Sequence, residues 1–267
     1  MPGLLVSIII PTQDEKANIE GLLQDISSQK VLFNPQLIKI TNISPSGHAR
    51  NMGARQAEGE ILIFLDCDIR LGNDFVLSNL INSLIEDRKI GIVCSSVLIP
   101  SQASKFQIRY VKEIYHCEIP IVDDITDVWA ATAQCCAIFK DIFFKIGMFN
   151  EKIIRGVDPE FSFRVRKADY RTVLAPRTWI YHHCPDNIAE LVKINFRNGL
   201  ATAFVDTFYP ELNIDVDPKG VFSSSEKKSK FTRITRFFFA FFNAILQAKL
   251  LLLSAKIVYL LSYLCGF

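Results

Sequence analysis

Five consecutive apolar residues, Ile61-Leu62-Ile63-Phe64-Leu65, run without a break into Asp66-Cys67-Asp68. A strand with one wet face alternates apolar and polar side chains, so an unbroken apolar run marks a strand covered on both faces. The chain then places two like charges where that buried strand stops. At the carboxyl end of a parallel strand, both can converge on the crevice where ligands bind in open α/β sheets. Two carboxylates there repel unless a cation or a proton separates them, and hard divalent cations take oxygen ligands. The competing reading is a polar strand end whose two Asp cap the following loop.

The neighbouring sequence repeats the strand signal. Leu4 to Ile10 is rich in β-branched residues, is stopped by Pro11, and reads as a first, central strand. Thr12 stands three residues before Glu15, a capping-box spacing, so a helix is expected to open there with Ile19, Leu22, Leu23 and Ile26 as its apolar face. Gln36 to Thr41 alternates like a strand, Ser44 to Gly47 is a turn, and His48 to Ala57 is a short helix. Asn73 to Glu86 reads as an amphipathic helix and Ile90 to Ile99 as a strand. Strands alternating with helices predict a mostly parallel, doubly wound α/β sheet flanked by helices. Beyond Ser101 the alternation weakens. Strands are expected at Gln134–Lys140, Arg171–Ala175 and Trp179–His183, a turn or two of helix at Asp141–Ile146, and helices at Asp158–Lys167 and Asp186–Asp206.

The 267 residues suffice for one large α/β domain, read here as 1–209, followed by a Pro-, Ser- and Lys-rich linker at 210–230. A net charge of +2 is too balanced for a nucleic-acid binder. The seven Cys form no CxxC and no finger-like quartet with His, which points to reduced thiols in a cytosolic compartment and away from zinc.

Residues 231–267 stand apart. Phe237 to Leu264 is apolar except for Asn243, Gln247, Lys249, Lys256 and a few hydroxyls, and it is long enough to span a bilayer as one helix. Lys249 and Lys256 fall within about 20° of each other on a helical wheel, so an in-plane amphipathic helix fits as well. Lys227, Lys228, Lys230, Arg233 and Arg236 precede the stretch and suit an anionic lipid surface. The expectation is a C-terminal hydrophobic helix associated with the cytoplasmic face of a membrane, read as a bacterial inner membrane. A helix packed on the domain's own core is the competing expectation.

Three segments line up with Asp66 and Asp68: Ser7 to Ile19, Gly47 to Ile69, and Gly147 to Pro176. In order, spacing and residue type they resemble the family 2 glycosyltransferases, enzymes of the glycosyltransferase-A fold that use nucleotide sugars. The resemblance covers roughly residues 4 to 200. It implies inverting transfer of a hexosyl group from a nucleoside-diphosphate sugar to an acceptor hydroxyl, in cell-envelope, polysaccharide or glycolipid synthesis. The acceptor is open and includes lipid-linked ones. A Mg²⁺ or Mn²⁺ ion would stabilise the leaving diphosphate as a Lewis acid. By position, Asp66 matches the ribose- and sugar-facing acid and Asp68 the metal ligand. Pro11 and Glu15 match the nucleotide-binding loop after the first strand. Arg50 and Asn51 match a segment that opens the helix before the carboxylate strand, with a diphosphate-binding or a structural role. Asp158 matches the general base and Glu160 the acid that follows it, although Asp158 reads equally as the N-cap of its helix. His182, or His183 beside it, matches a strand-end His that is a further metal ligand in some relatives.

Two departures stand out. Val157 replaces the first acid of the Glu-Asp-x-Asp motif found in relatives. Between Ile26 and Gly47 there is room for only one strand, and no Asp-Asp-Gly-Ser-like turn to grip a base. These departures support a second reading, a catalytically impaired relative that acts as a membrane-bound binding protein. A third is a haloacid-dehalogenase-like phosphatase, which also ends a hydrophobic strand in DxD but has that motif on its first strand.

Overall fold

The structure is a computed structural model that describes residues 4–12, 14, 19–114, 118–212 and 229–266. In chain order its elements are β1 (Val6–Thr12), α1 (Glu20–Ser27), β2 (Gln36–Thr41), α2 (Ser46–Gln56), β3 (Ile61–Leu65), β4 (Ile69–Leu71), α3 (Val76–Glu86) and β5 (Ile90–Leu98). There follow α4 (Lys105–Glu113), β6 (Thr126–Asp127), β7 (Cys135–Phe139), α5 (Lys140–Lys145), α6 (Val157–Lys167), β8 (Arg171–His182), α7 (Ile188–Phe208), α8 (Lys230–Leu246) and α9 (Leu250–Cys265).

One sheet runs in the order β2-β1-β3-β7-β5-β8-β4, with β6 paired to β8. The opening run is what its composition dictates: every side chain of β3 is fully buried, and β3 sits inside the sheet. The sheet is mixed, where the strand–helix alternation predicts a mostly parallel one. β2, β1 and β3 pair in parallel, and so do β5 and β8. β7 joins these two blocks antiparallel to both neighbours. A parallel pair needs a crossover connection, and β7 returns to the sheet without one from either neighbour.

Several local expectations change. β1 continues through Pro11 to Thr12, whose hydroxyl donates to the Ile40 carbonyl at 3.5 Å. Thr12 is not the cap of α1, which begins at Glu20 with Ile19 at its N-cap, and Glu15 lies outside the described residues. Residues 171–182 form one strand instead of two, with Arg177 at φ +49° where the pairing register with β5 shifts. α4, a helix not expected from the sequence, is amphipathic, and Ser104 and Gln107 close a full capping box at its start.

The C-terminal stretch is two helices, not one. They break at Gln247–Lys249, where Ala248 takes φ +49°. Among the described residues no helix is long and apolar enough to cross a membrane. α9 packs on the domain. Glu113 of α4 accepts the N–H groups of Leu251 and Leu252 at 2.7 and 3.2 Å, satisfying two open donors at the start of α9. Gly199 of α7 lets α9 approach closely, since a side chain there would collide with Ser262 and the Tyr259 carbonyl. Asp206 of α7 accepts from Tyr263 at 2.9 Å and from Arg233 of α8 at 2.7 Å.

Candidate active site

The sheet's hydrogen-bond registers assemble the site. Parallel pairing puts Ile9 of β1 level with Phe64 of β3, so two residues further on Pro11 lies level with Asp66. On the other side, Leu65 pairs with Cys135, and the Asp66 N–H donates to the Gln134 carbonyl at 2.8 Å. The adjacent Ala133 donates its N–H to Asp158 Oδ2 at 3.1 Å. One two-residue stretch of backbone thus fixes the Asp66 main chain and the Asp158 carboxylate. Nothing in the sequence of Ala133 and Gln134 announces this, because the contacts are made by peptide groups.

A cluster of rings sets the distance between the elements that carry those carboxylates. Phe64, two residues before Asp66, meets Phe149 at 5.2 Å, and Phe149 meets Phe161 of α6 at 4.7 Å. Gly156 adopts φ +77°, a left-handed conformation that suits glycine, and starts α6 directly before Asp158. Asp158 lies inside the first turn, and the N-cap position belongs to Gly156. Its carboxylate makes no cap bond to its own helix and reaches the Ala133 amide instead. Burial pushes the Asp158 carboxyl above its ordinary range, with nearby Asp66 adding to the rise. Arg50 and the Ala133 N–H pull the other way without overcoming it.

Arg50 lies between the two acids. Its Nη2 donates to Asp66 Oδ1 at 2.5 Å, its Nη1 to Ser46 Oγ at 3.3 Å, and only 6% of its side chain is exposed. Burial acts most strongly on Arg50 and opposes its charge, but Asp66 and Asp158 outweigh it and keep the guanidinium firmly protonated. Its buried Nε has no hydrogen-bond partner among the described residues.

Asp68 turns the other way, toward β8. The β4–β8 pairing sets Ile69 opposite His182, and His182 Nε2 comes to 3.6 Å from Asp68 Oδ2. At that length the contact is electrostatic more than a good hydrogen bond. It nonetheless holds the Asp68 carboxyl below its ordinary range against the opposing effect of burial. Burial pushes the His182 imidazole down, and Asp68 with Asp66 overrides that and raises it. His183 pairs with Asp186 at 2.9 Å. A carboxylate oxygen and an imidazole nitrogen facing one point form a donor pair that suits a divalent cation. Among the described residues no third such group joins them. A cation here would keep positions open for ligand oxygens, as Mg²⁺ does in phosphate sites. A cavity of about 570 Å³ borders Asp68 and is also lined by Arg70, Pro100, Gln102, Tyr181 and His183. A second cavity, about 410 Å³ beside Trp129 and Arg166, contains none of these site residues.

Two expected site residues face elsewhere. Asn51 is 1% exposed, with its amide locked to the Phe149 carbonyl, the Phe149 N–H and Glu151 Oε1 at 2.8, 3.0 and 2.8 Å. It is a clamp for the loop before α6 and has no group left for a ligand. Glu160 is buried with both oxygens held by Arg164 at 2.7 and 2.8 Å, and Arg164 also donates to the Ile146 carbonyl. Two positions along a helix turn a side chain by about 200°, so Glu160 faces away from Asp158.

The two departures read from the sequence persist in the fold. Among the described residues a single helix and a single strand lie between β1 and α2, which leaves β2 at the sheet edge. β2 is followed by Asn42, which has φ +59° and donates its N–H to the Thr12 carbonyl at 3.2 Å.

Comparison with known proteins gives one consistent picture. The profile of Glycosyl transferase family 2 matches residues 33–147, which include Arg50, Asp66 and Asp68. The chain is 26% identical over 219 residues to the O-antigen biosynthesis protein RfbC of Myxococcus xanthus, covering 67% of this chain and 17% of that protein. It is 24% identical over 225 residues to an uncharacterised protein of Sinorhizobium fredii, covering 67% of this chain and 24% of that one. The chain therefore spans less than a quarter of the length of either relative. Among solved structures, the mannosyltransferase PcManGT from Pyrobaculum calidifontis, in complex with GDP-Man and Mn²⁺, superposes with a TM-score of 0.55 at 16% identity. That match covers 97% of this chain and 75% of the mannosyltransferase.

Proposed function

Because the chain belongs to the family 2 glycosyltransferases, we propose that it transfers a sugar from a nucleoside-diphosphate sugar to an acceptor hydroxyl with inversion. One observation carries this reading: α6 delivers Asp158 to the strand end that holds Asp66 and Arg50. An acceptor hydroxyl is a weak nucleophile and needs a base near it. A carboxylate whose proton affinity is raised by burial is better matched to that task than a fully solvated one.

Each group has a role in the reaction. Asp158 takes the acceptor's proton as its oxygen attacks the anomeric carbon, and the bond to the diphosphate breaks on the opposite face of the sugar. Arg50 holds Asp66 in place, and its unpaired Nε offers a donor to an anionic or hydroxyl-bearing ligand. Asp66 is then available to sugar or ribose hydroxyls. Asp68 and His182 would hold a divalent cation, which when bound supplies Lewis-acid stabilisation of the leaving diphosphate. Pro11, level with Asp66, borders the nucleotide side, and Glu15 is assigned there by its position in the sequence. The cavity beside Asp68 gives a sugar-sized group room next to that one carboxylate.

The O-antigen relative supports a glycan acceptor in polysaccharide synthesis, with a lipid-linked glycan as the form that suits work at a membrane. The absent base-gripping turn favours, as a second reading, a chain that binds its donor weakly and turns over slowly. A thermal-shift screen of nucleoside diphosphates with Mn²⁺ or Mg²⁺ separates the two, because a ligand that binds only the folded state raises its stability. Metal-dependent stabilisation by one nucleotide is the expected result. A flat response to all of them would remove the donor assignment.

A further inference from the structure

Directly before β7 stands a hydrogen-bond donor that the chain leaves unused. The β3–β7 pairing sets Phe64 opposite Cys136 and Leu65 opposite Cys135, so the next step outward sets Asp66 opposite Gln134. The Asp66 N–H donates to the Gln134 carbonyl at 2.8 Å, so this last step is paired as well. Residues opposite each other in an antiparallel pair put their side chains on one face, with Cβ atoms about 5 Å apart. Gln134 therefore shares a face with Asp66. The neighbouring Ala133 N–H holds Asp158 at 3.1 Å, which puts Gln134 on the Asp158 side of Asp66. Pro11 of β1 flanks Asp66 on the other, nucleotide side.

Thr132 orients the Gln134 carboxamide. Its Oγ accepts the Gln134 N–H at 3.1 Å and donates its own hydrogen to Gln134 Oε1 at 3.3 Å. That leaves the Nε2 hydrogens, and among the described residues no acceptor meets them. Asp66 is in the complementary state. Arg50 holds its Oδ1 at 2.5 Å, and among the described residues no donor meets Oδ2. Both side chains are half-buried, so each keeps only part of its contact with water. An N–H donor and a carboxylate acceptor across one step of the sheet match a hydroxyl, which accepts from the first and donates to the second. An ionised diphosphate only accepts, and so makes no use of Asp66. The hydroxyl-bearing group that must lie between the diphosphate and Asp158 is the sugar in transfer.

We propose that Gln134 determines sugar specificity: with Asp66 it grips one hydroxyl of the transferred sugar and so selects among nucleoside-diphosphate sugars. The proposal rests on the glycosyl-transfer reading and deepens it. Calorimetry on the full chain with Mn²⁺ tests it, comparing UDP-glucose, UDP-galactose and GDP-mannose with free UDP and GDP. Gln134→Met keeps a similar volume and removes the donor. It should weaken binding of the preferred sugar nucleotide on the order of tenfold, the loss of one hydrogen bond. Affinity for the matching free diphosphate should change by less than about twofold, since that ligand lacks the hydroxyl. Preference between the glucose and galactose epimers should narrow, and Gln134→Asn, which keeps a carboxamide, should fall between parent and Met variant. If Gln134→Met fails to fold, Gln134→Ala reads the same contact. Equal loss of sugar nucleotide and free diphosphate would assign Gln134 to the ribose or to the fold and overturn the proposal. Unchanged binding of both would overturn it too. In either case the glycosyl-transfer reading stands, whereas a parent that binds none of these ligands removes that reading and the proposal with it.

Discussion

At the carboxyl edge of the sheet, the Asp68 side chain is 60% exposed and Asp158 has taken one backbone N–H. Against the C-terminal helices the buried acids are already engaged: Glu113 of α4 holds the first turn of α9, and Asp206 of α7 holds Arg233 and Tyr263. There the surface left without partners is apolar. The two regions thus leave opposite chemistry open, charge at the sheet edge and hydrocarbon on the helices. Protein groups close whatever they can, so what remains open indicates the kind of ligand each region awaits.

The largest expected effect tests the charged edge. Asp68→Ala should remove metal-dependent nucleoside-diphosphate binding altogether, measured by calorimetry with and without Mn²⁺, while leaving the melting temperature near that of the parent. Binding that survives would take the metal away from Asp68 and His182.

Asp158→Asn should lower turnover by about 10² or more, measured as nucleoside-diphosphate release. It should also raise the melting temperature at neutral pH. The sign follows from burial: the folded state raises the Asp158 pKa, so its contribution to stability is present below the ordinary carboxylate range and is lost as pH rises through the folded value. The stability gain of the variant should therefore vanish at low pH. In the parent, turnover should fall as pH drops through that same raised value. A variant less stable than the parent at neutral pH would show that Asp158 is chiefly a structural acceptor for Ala133.

Asn51→Ala should cost about 2 kcal/mol in denaturant unfolding, because it leaves the Phe149 peptide groups unpaired inside the protein. Its effect on nucleotide binding should only follow the loss of fold. The smallest effect belongs to the other region. Glu113→Gln should cost about 1 kcal/mol by weakening the charged cap on α9. Hydrogen exchange should show the loss confined to α9 and its contacts with α4 and α7, with site chemistry unchanged.

The strand-end position of part of the candidate site was legible in the sequence. Asp66 and Asp68 declare themselves by following an apolar run, and Pro11 and Arg50 by their place in the three matching segments. The roles of Asn51 and Glu160 could not be read that way. Both residues carry groups suited to ligands, and only their neighbours, Phe149 and Arg164, show that those groups are occupied. The same holds for Ala133 and Gln134, whose hold on Asp158 and Asp66 is through backbone.

The sequence by itself determined that β3 is buried on both faces, that its end carries two carboxylates, and that the C-terminal stretch is apolar with a basic approach. These follow from composition and period, which act through local geometry and transfer from water. Tertiary structure alone decided that β7 enters antiparallel, that His182 and not His183 faces Asp68, and that Asp158 is a half-buried acid near Asp66 and not a helix cap. It also decided that the apolar stretch breaks into two helices, one fixed to α7 and α4. Each of these depends on strand register or on close packing between segments far apart in the chain. A one-residue change of register, or one side chain at Gly199, would alter them without changing any local propensity.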